Sequence, residues 1–243
     1  MDRKGNGAYG LYVSNYGGPT RFYEKFKGKI KDRASEFGLD KITGGRAVVA
    51  GHILSNNIDI FAANERGVNF LYKNVDGVFY DVASGYNVLD PYENGRGTAL
   101  SDILYRGQLD IVSGNWDGEH RIFIKKENSF KDIADSNFKR PSKIRTVISA
   151  DFDNDGNKDI YITNGLLRDI RNTDADKKIS EIVSKKINEY IIKNPNDNDI
   201  SLWDVVNLKE LLDILPSQKL KNYYYKNHGN LQFSNITDDT GLN

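Results

Sequence analysis

Short segments of alternating apolar and polar positions, rich in β-branched and aromatic residues, run through this chain and predict strands rather than helices. They also recur. Leu11-Tyr-Val-Ser-Asn15, Ile60-Phe-Ala-Ala-Asn64, Ile111-Val-Ser-Gly-Asn115 and Ile160-Tyr-Ile-Thr-Asn164 share one pattern, and their asparagines lie 49, 51 and 49 residues apart. A second element keeps the same spacing: Phe22-Tyr23 through Asp32-Arg-Ala34, Leu71-Tyr72 through Asp81-Val-Ala83, and Ile122-Phe123 through Asp132-Ile-Ala134. Its fourth copy, Tyr224-Tyr225 through Asn235-Ile236-Thr237, arrives late because a segment is inserted before it.

Repeats of about 40–50 residues with several short strands each belong to β-propeller blades. One such sheet cannot bury both of its faces, so neighbouring units must stack. The expected fold is all-β: a single domain of about four blades, at 1–42, 43–89, 90–140 and 141–243. Units 2, 3 and 4 open with a leading strand (Arg46-Ala-Val-Val-Ala50, Gly97-Thr-Ala-Leu100, Arg145-Thr-Val-Ile-Ser149), whereas unit 1 begins in a loop at Asp2. Thr240-Gly241-Leu242 repeats the close of unit 1, Glu36-Phe-Gly38-Leu39. Both features suggest a piece of a longer propeller whose open edges could self-associate; a four-bladed ring is the alternative.

Between 165 and 220 the strand pattern gives way to helix. Ile179, Ile182, Val183, Ile187 and Ile191 fall on one helical face over 176–193, with Pro195 as a stop. Ser201 offers an N-cap to a second helix carrying Leu202, Val205, Val206, Leu208, Leu211, Leu212 and Leu215, ended by Pro216. Two amphipathic helices inserted in the last blade are expected, as a structural decoration or, with Trp203, as a partner-binding excrescence.

One loop carries distinctive chemistry. Asp151-Phe-Asp153-Asn-Asp155-Gly156-Asn157-Lys-Asp159 sets four carboxylates around one glycine. A hard cation such as Ca²⁺ takes about six to eight oxygens at about 2.3–2.6 Å, and these side chains with the Asn157 carbonyl supply most of them. An EF-hand would need Glu at position 12 and flanking helices; here that position is Ile162 and the flanks are strands. The plain alternative is an acidic hairpin turn.

The other units degrade the pattern. Asp2 and Asn6 leave at most a weak site in unit 1, Arg106 puts a cation where unit 3 needs a ligand, and the unit 2 loop, from Gly51 to Asp59, is one residue short. Asp59, Asp110 and Asp159 nevertheless recur, which implies a turn-bracing task independent of metal.

Composition narrows the function classes. Lys plus Arg and Asp plus Glu are both 34, giving zero net charge, which disfavours a broad nucleic-acid surface despite lysine-rich runs at Lys25–Lys31 and Lys219–Lys221. There are no cysteines, so disulfide and thiolate chemistry are excluded. No run of 18 apolar residues exists to span a membrane, and no apolar signal region follows Met1. Rim-loop residues Tyr16, Trp116 and His120 are candidates for contacting a protein or glycan partner. A polysaccharide-acting enzyme would draw its acid and base from Glu65, Asp117, Glu119 and His120, although nothing in the sequence brings two of them together.

Val13-Ser-Asn-Tyr-Gly-Gly-Pro-Thr-Arg21, Asn94-Gly-Arg-Gly-Thr-Ala99, Gly114-Asn-Trp-Asp-Gly-Glu-His-Arg121 and the segment Val147–Gly156 together resemble FG-GAP/VCBS-repeat propellers of the cartilage acidic protein 1 family. The resemblance covers nearly everything outside the insertion. It implies a seven-bladed, non-enzymatic, extracellular or cell-surface protein of adhesion or matrix interaction. It further implies Ca²⁺ held by Asp151, Asp153, Asp155, the Asn157 carbonyl and Asp159.

Overall fold

The computed structural model of the protein describes residues 1–197 and 201–241; Leu242, the end of the closing element, lies outside them. The chain forms two compact units, 1–164 with 221–243, and the inserted 165–220.

The first unit is built of antiparallel sheets. Unit 1 contributes β1 (Gly10–Val13), β2 (Tyr16–Pro19), β3 (Arg21–Phe26) and β4 (Lys29–Asp32), and unit 2 contributes β5 (Ile42–Gly51), β6 (Asp59–Asn64), β7 (Phe70–Val75) and β8 (Val78–Asp81). Unit 3 contributes β9 (Gly95–Ser101), β10 (Asp110–Asn115), β11 (Arg121–Lys125) and β12 (Phe130–Asp132). Unit 4 contributes β13 (Ile144–Ala150), β14 (Asp159–Asn164), β15 (Tyr223–Asn227) and β16 (Phe233–Asn235). The sheet orders are β1-β3-β4, β2-β5-β6-β7-β8, β9-β10-β11-β12 and β13-β14-β15-β16. The four asparagine-ended segments thus enter four different sheets, as propeller-like blades require.

One strand departs from the repeat. β2 leaves its own unit and pairs with β5 as an added edge of the next sheet, Tyr16 opposite Gly44 and Pro19 opposite Ile42. Proline suits that place because an edge strand need not donate on its outer side.

Stacking follows from the side-chain period of two. One cluster (Phe22, Phe37, Leu39, Ile60, Tyr72, Phe79) joins the first two sheets. A second (Phe61, Ala63, Leu71, Val88, Ile111, Phe123) joins the second and third, and another (Val112, Ile122, Phe138, Ile144, Ile160, Tyr225) the third and fourth. At about 25 cal/mol per Å² these dry seams are the chief stabilising term. The leading strands approach closely: a Cβ on Gly97 would lie 2.9–3.0 Å from the backbone of Thr146 and Val147, so glycine is required there.

The recurrent asparagines have a common task. Asn15, Asn64 and Asn115 each donate from Nδ2 to the carbonyl four residues on (Pro19, Val68, Glu119), closing the turn into the third strand. Asn164 makes the same bond to Lys221 O at 2.8 Å. The insertion therefore replaces only that turn and leaves its closing bond intact.

The inserted unit holds α1 (Thr173–Lys193), α2 (Leu202–Val205) and α3 (Leu208–Ile214). α1 is capped by Asn172, which accepts from Ala175 N. Ser201 caps α2 in a capping box with Asp204. The second expected helix is divided, because Val206 is extended and Asn207 caps a new helix by accepting from Lys209 N. A competent N-cap inside the run makes two short helices as satisfied as one long one. Both contact α1. A short α4 (Thr237–Thr240) follows β16.

Candidate metal centre

The acidic loop joins β13 to β14, whose register runs from Ala150 opposite Asp159 outward. Gly156 takes φ +91°, the left-handed turn that folds the loop inward. Asp151, Asp153 and Asp159 each place one carboxylate oxygen within 4.8 Å of the others. Two ligands of one Ca²⁺ held at about 2.5 Å can be at most about 5 Å apart, so this donor set fits a single hard cation. The group would supply charge neutralisation and a rigid cross-link between the loop and β14.

Hydrogen bonds show what each carboxylate does besides. Asp151 accepts from Asp155 N (3.1 Å) and Gly156 N (3.0 Å). The same five-residue reach recurs at Asp2 to Gly7 N (2.6 Å) and Asp102 to Gly107 N (2.7 Å). Asp159 is fully buried, accepting from Asn227 N (2.8 Å), Phe152 N (3.3 Å) and the Tyr224 hydroxyl (2.7 Å). An ionised carboxylate has about four acceptor sites, so Asp159 keeps about one for a cation. Burial first, and then the bond to Asp159, pushes the Tyr224 phenol up.

Asp155 stands apart from the convergent three. It accepts from Asn157 N (2.8 Å), Asn157 Nδ2 (3.0 Å) and Lys226 Nζ (3.0 Å), which together hold its carboxyl below the usual range, the Asn157 backbone bond contributing most. Lys226 also engages Asp153. This lysine lies on β15, beyond the insertion, and hydrogen bonds to Asp153 and Asp155 push its ammonium up. The only hint in the sequence was its repeat register, beside Tyr225 opposite Ile160.

The brace inferred for the terminal aspartates is present in units 2, 3 and 4. Asp59 accepts from Leu54 N (2.7 Å) and Asn74 N (2.8 Å), and Asp110 from Ile103 N (3.2 Å) and Lys125 N (2.8 Å). Arg106 fills the unit 3 loop, its Nη2 2.8 Å from Asp110. In unit 1 Asn6 is turned to Ala8 N (3.1 Å), and Gly10 stands where the terminal aspartate would be.

The rim candidates divide. Tyr16 is 47% exposed, but Trp116 and His120 are 1% and 0% exposed, so the expectation that these two meet a partner on an open rim is corrected. His120 has a local task instead. Its Nδ1 accepts from Asn115 N at 3.0 Å, where Asn69 and Asn222 serve Asn64 and Asn164 in the same way. That assigns the proton to Nε2, 3.0 Å from Ser142 Oγ. Burial pulls its pKa down to about 4.

Comparison with known proteins gives a consistent picture. Residues 102–162 match the FG-GAP-like repeat, spanning the unit 3 loop, the third seam and the acidic loop. Cartilage acidic protein 1 of Homo sapiens is 41% identical over 218 residues, covering 82% of this chain and 32% of the relative. The Xenopus tropicalis protein is 43% identical over 183 residues (68% and 28%), and that of Mus musculus 40% over 218 residues (82% and 33%). The chain thus spans about a third of the length of the curated relatives it matches. By its repeat, its stacked antiparallel sheets and these relatives, the chain is similar over most of its length to cartilage acidic protein 1, and residues 102–162 to the FG-GAP-like repeat.

Proposed function

We propose that this chain is a non-enzymatic, calcium-stabilised propeller scaffold that acts outside the cell or at its surface and presents loops to a protein or glycan partner. The carrying observation is the convergence of Asp151, Asp153 and Asp159 within 4.8 Å; Asp155 and the Asn157 carbonyl would complete the set once Lys226 yields. Sharing Asp159 with its brace and competing with an ammonium both weaken a site. Affinity in the range of extracellular calcium modules, about 0.1–1 mM, is therefore expected.

The candidate acid and base residues for glycan cleavage have other partners, which favours the scaffold. Glu65 pairs with Arg46 and Arg96, Asp117 with Lys143, and Glu119 with Arg121. No described helix is long and apolar enough to cross a membrane. The blade limits 1–42, 43–89, 90–140 and 141–243 belong to the same reading. So does completion of the three-stranded first sheet by a further strand, from this protein or a second copy, along the edge of β1 where Met1 already pairs with Gly10.

Thermal unfolding with and without calcium tests the metal. Millimolar Ca²⁺ is expected to raise Tm by a few degrees in the wild type, by mass action, and to have no effect on Asp153→Ala. An unchanged wild-type Tm at 10-fold that concentration would refute it.

A further inference from the structure

Three arginines on successive sheets occupy one structural position. In each leading strand the antiparallel register slips by one residue, between Gly45 and Ala47 in β5, between Gly95 and Gly97 in β9, and between Ile144 and Thr146 in β13. The extra residue is Arg46, Arg96 and Arg145 respectively. A bulge leaves its residue out of the ladder and re-aims its side chain. Here the re-aimed guanidiniums meet.

Arg46 Nε and Arg96 Nη2 both lie 2.7 Å from the same oxygen of buried Glu65. Arg96 and Arg145 stand over the indole of Trp116, at 4.4 and 4.7 Å from its ring, and Arg46 stands 3.9 Å over Tyr16. Among the described residues Arg145 makes no ion pair, and Arg96 Nε is buried with no hydrogen-bond partner. One carboxylate therefore faces three fixed cations. The crowding is felt: burial first, then Arg96 and Arg46, push the Arg145 guanidinium down. The aromatic faces hold the forks flat but contribute no negative charge.

We propose that the three bulge arginines form a receptor for a small oxyanion, a carboxylate or sulfate group, which the exposed fork of Arg145 grips while Arg46 and Arg96 beside it add their charge. The planar fork of arginine matches two oxygens of such a group, a fit that an ammonium lacks. The site is independent of the calcium loop.

The test uses the full chain carrying Trp203→Phe, so that Trp116 is the sole indole reporter, in EDTA at constant ionic strength. Sodium sulfate replaces chloride stepwise while Trp116 fluorescence is followed. A saturable change with millimolar midpoint is expected, weakened at least 10-fold in Arg145→Met. In Arg145→Lys, which keeps the charge and loses the fork, several-fold weakening is expected. A linear response equal to that of chloride, or an unchanged midpoint in both variants, overturns the proposal. Parallel titrations with acetate and glucuronate identify the source. Tighter binding of glucuronate than acetate assigns the group to an acidic sugar, and equal binding assigns it to the bare ion.

Discussion

Asp59→Ala isolates the metal-independent brace, because the unit 2 loop lacks the acidic set. The Asp59 carboxylate is fully buried and accepts from Leu54 N at 2.7 Å, Asn74 N at 2.8 Å and, more weakly, Ser55 N at 3.3 Å. Hydrogen bonds to a charged acceptor contribute about 1.5–3 kcal/mol each, and a buried donor left without a partner costs about 1–3 kcal/mol. Counting the two short bonds gives about 3–6 kcal/mol, and removing a buried charge returns part of this, so a loss of about 3 kcal/mol is expected. For a unit of this size that corresponds to a fall in Tm of about 6–12 °C. Asp59→Asn keeps one carbonyl acceptor and is expected to lose about half as much. Urea and thermal unfolding monitored by circular dichroism measure both, with and without EDTA. A loss under about 1 kcal/mol, or one that depends on EDTA, would show that the recurrent aspartate is not a brace of this kind.

Lys226→Met removes the ammonium from beside Asp153 and Asp155; calcium titration should show roughly 10-fold tighter binding, while Tm in EDTA falls because the carboxylates then repel one another. Equal affinity in the two proteins would mean that Lys226 swings clear at no cost. His120 gives a pH dependence of defined sign. Its folded pKa of about 4 lies below the ordinary value of 6.5, so its contribution is complete above pH 6.5 and is lost as pH falls toward 4. The loss reaches at most about 3 kcal/mol at about 1.4 kcal/mol per unit. His120→Asn, which restores the acceptor found at Asn69 and Asn222, should keep stability at pH 7 and flatten the profile between pH 6.5 and 4. A slope that persists in that variant would assign the dependence elsewhere.

Much of the architecture was legible because it rests on short-range patterns. Strand alternation, the asparagine that closes each turn, and the aspartate that accepts backbone N–H groups at the strand start are all written within a few residues of their partners, and they repeat. The spacing of the asparagines alone separates the sheets. Local capping also marked the inserted helices, and its over-reading is instructive: the apolar run over Leu202–Leu215 continued past Asn207, whose side chain interrupts the helix. The site was half legible. The loop spacing alone brings Asp151, Asp153 and Asp159 near one another, whereas Lys226, which pairs with both Asp153 and Asp155, is separated from them by the entire insertion.

What the sequence by itself determined is therefore the repeating unit: four copies of one hairpin grammar, an acidic loop in the last, and a helical segment in place of one turn. Tertiary structure alone decided which side chains from different copies come together. Trp116 and His120 sit in loops that read as exposed, yet the segment from Phe138 to Arg145 that leads into the next sheet packs on them; β2 crosses to its neighbour; and Arg46, Arg96 and Arg145 meet only because each strand slips by one residue at the same height. The physical reason is range. Backbone hydrogen bonds are satisfied locally and leave a local trace, whereas burial and charge proximity depend on the twist and stacking of whole sheets, which no window of sequence contains.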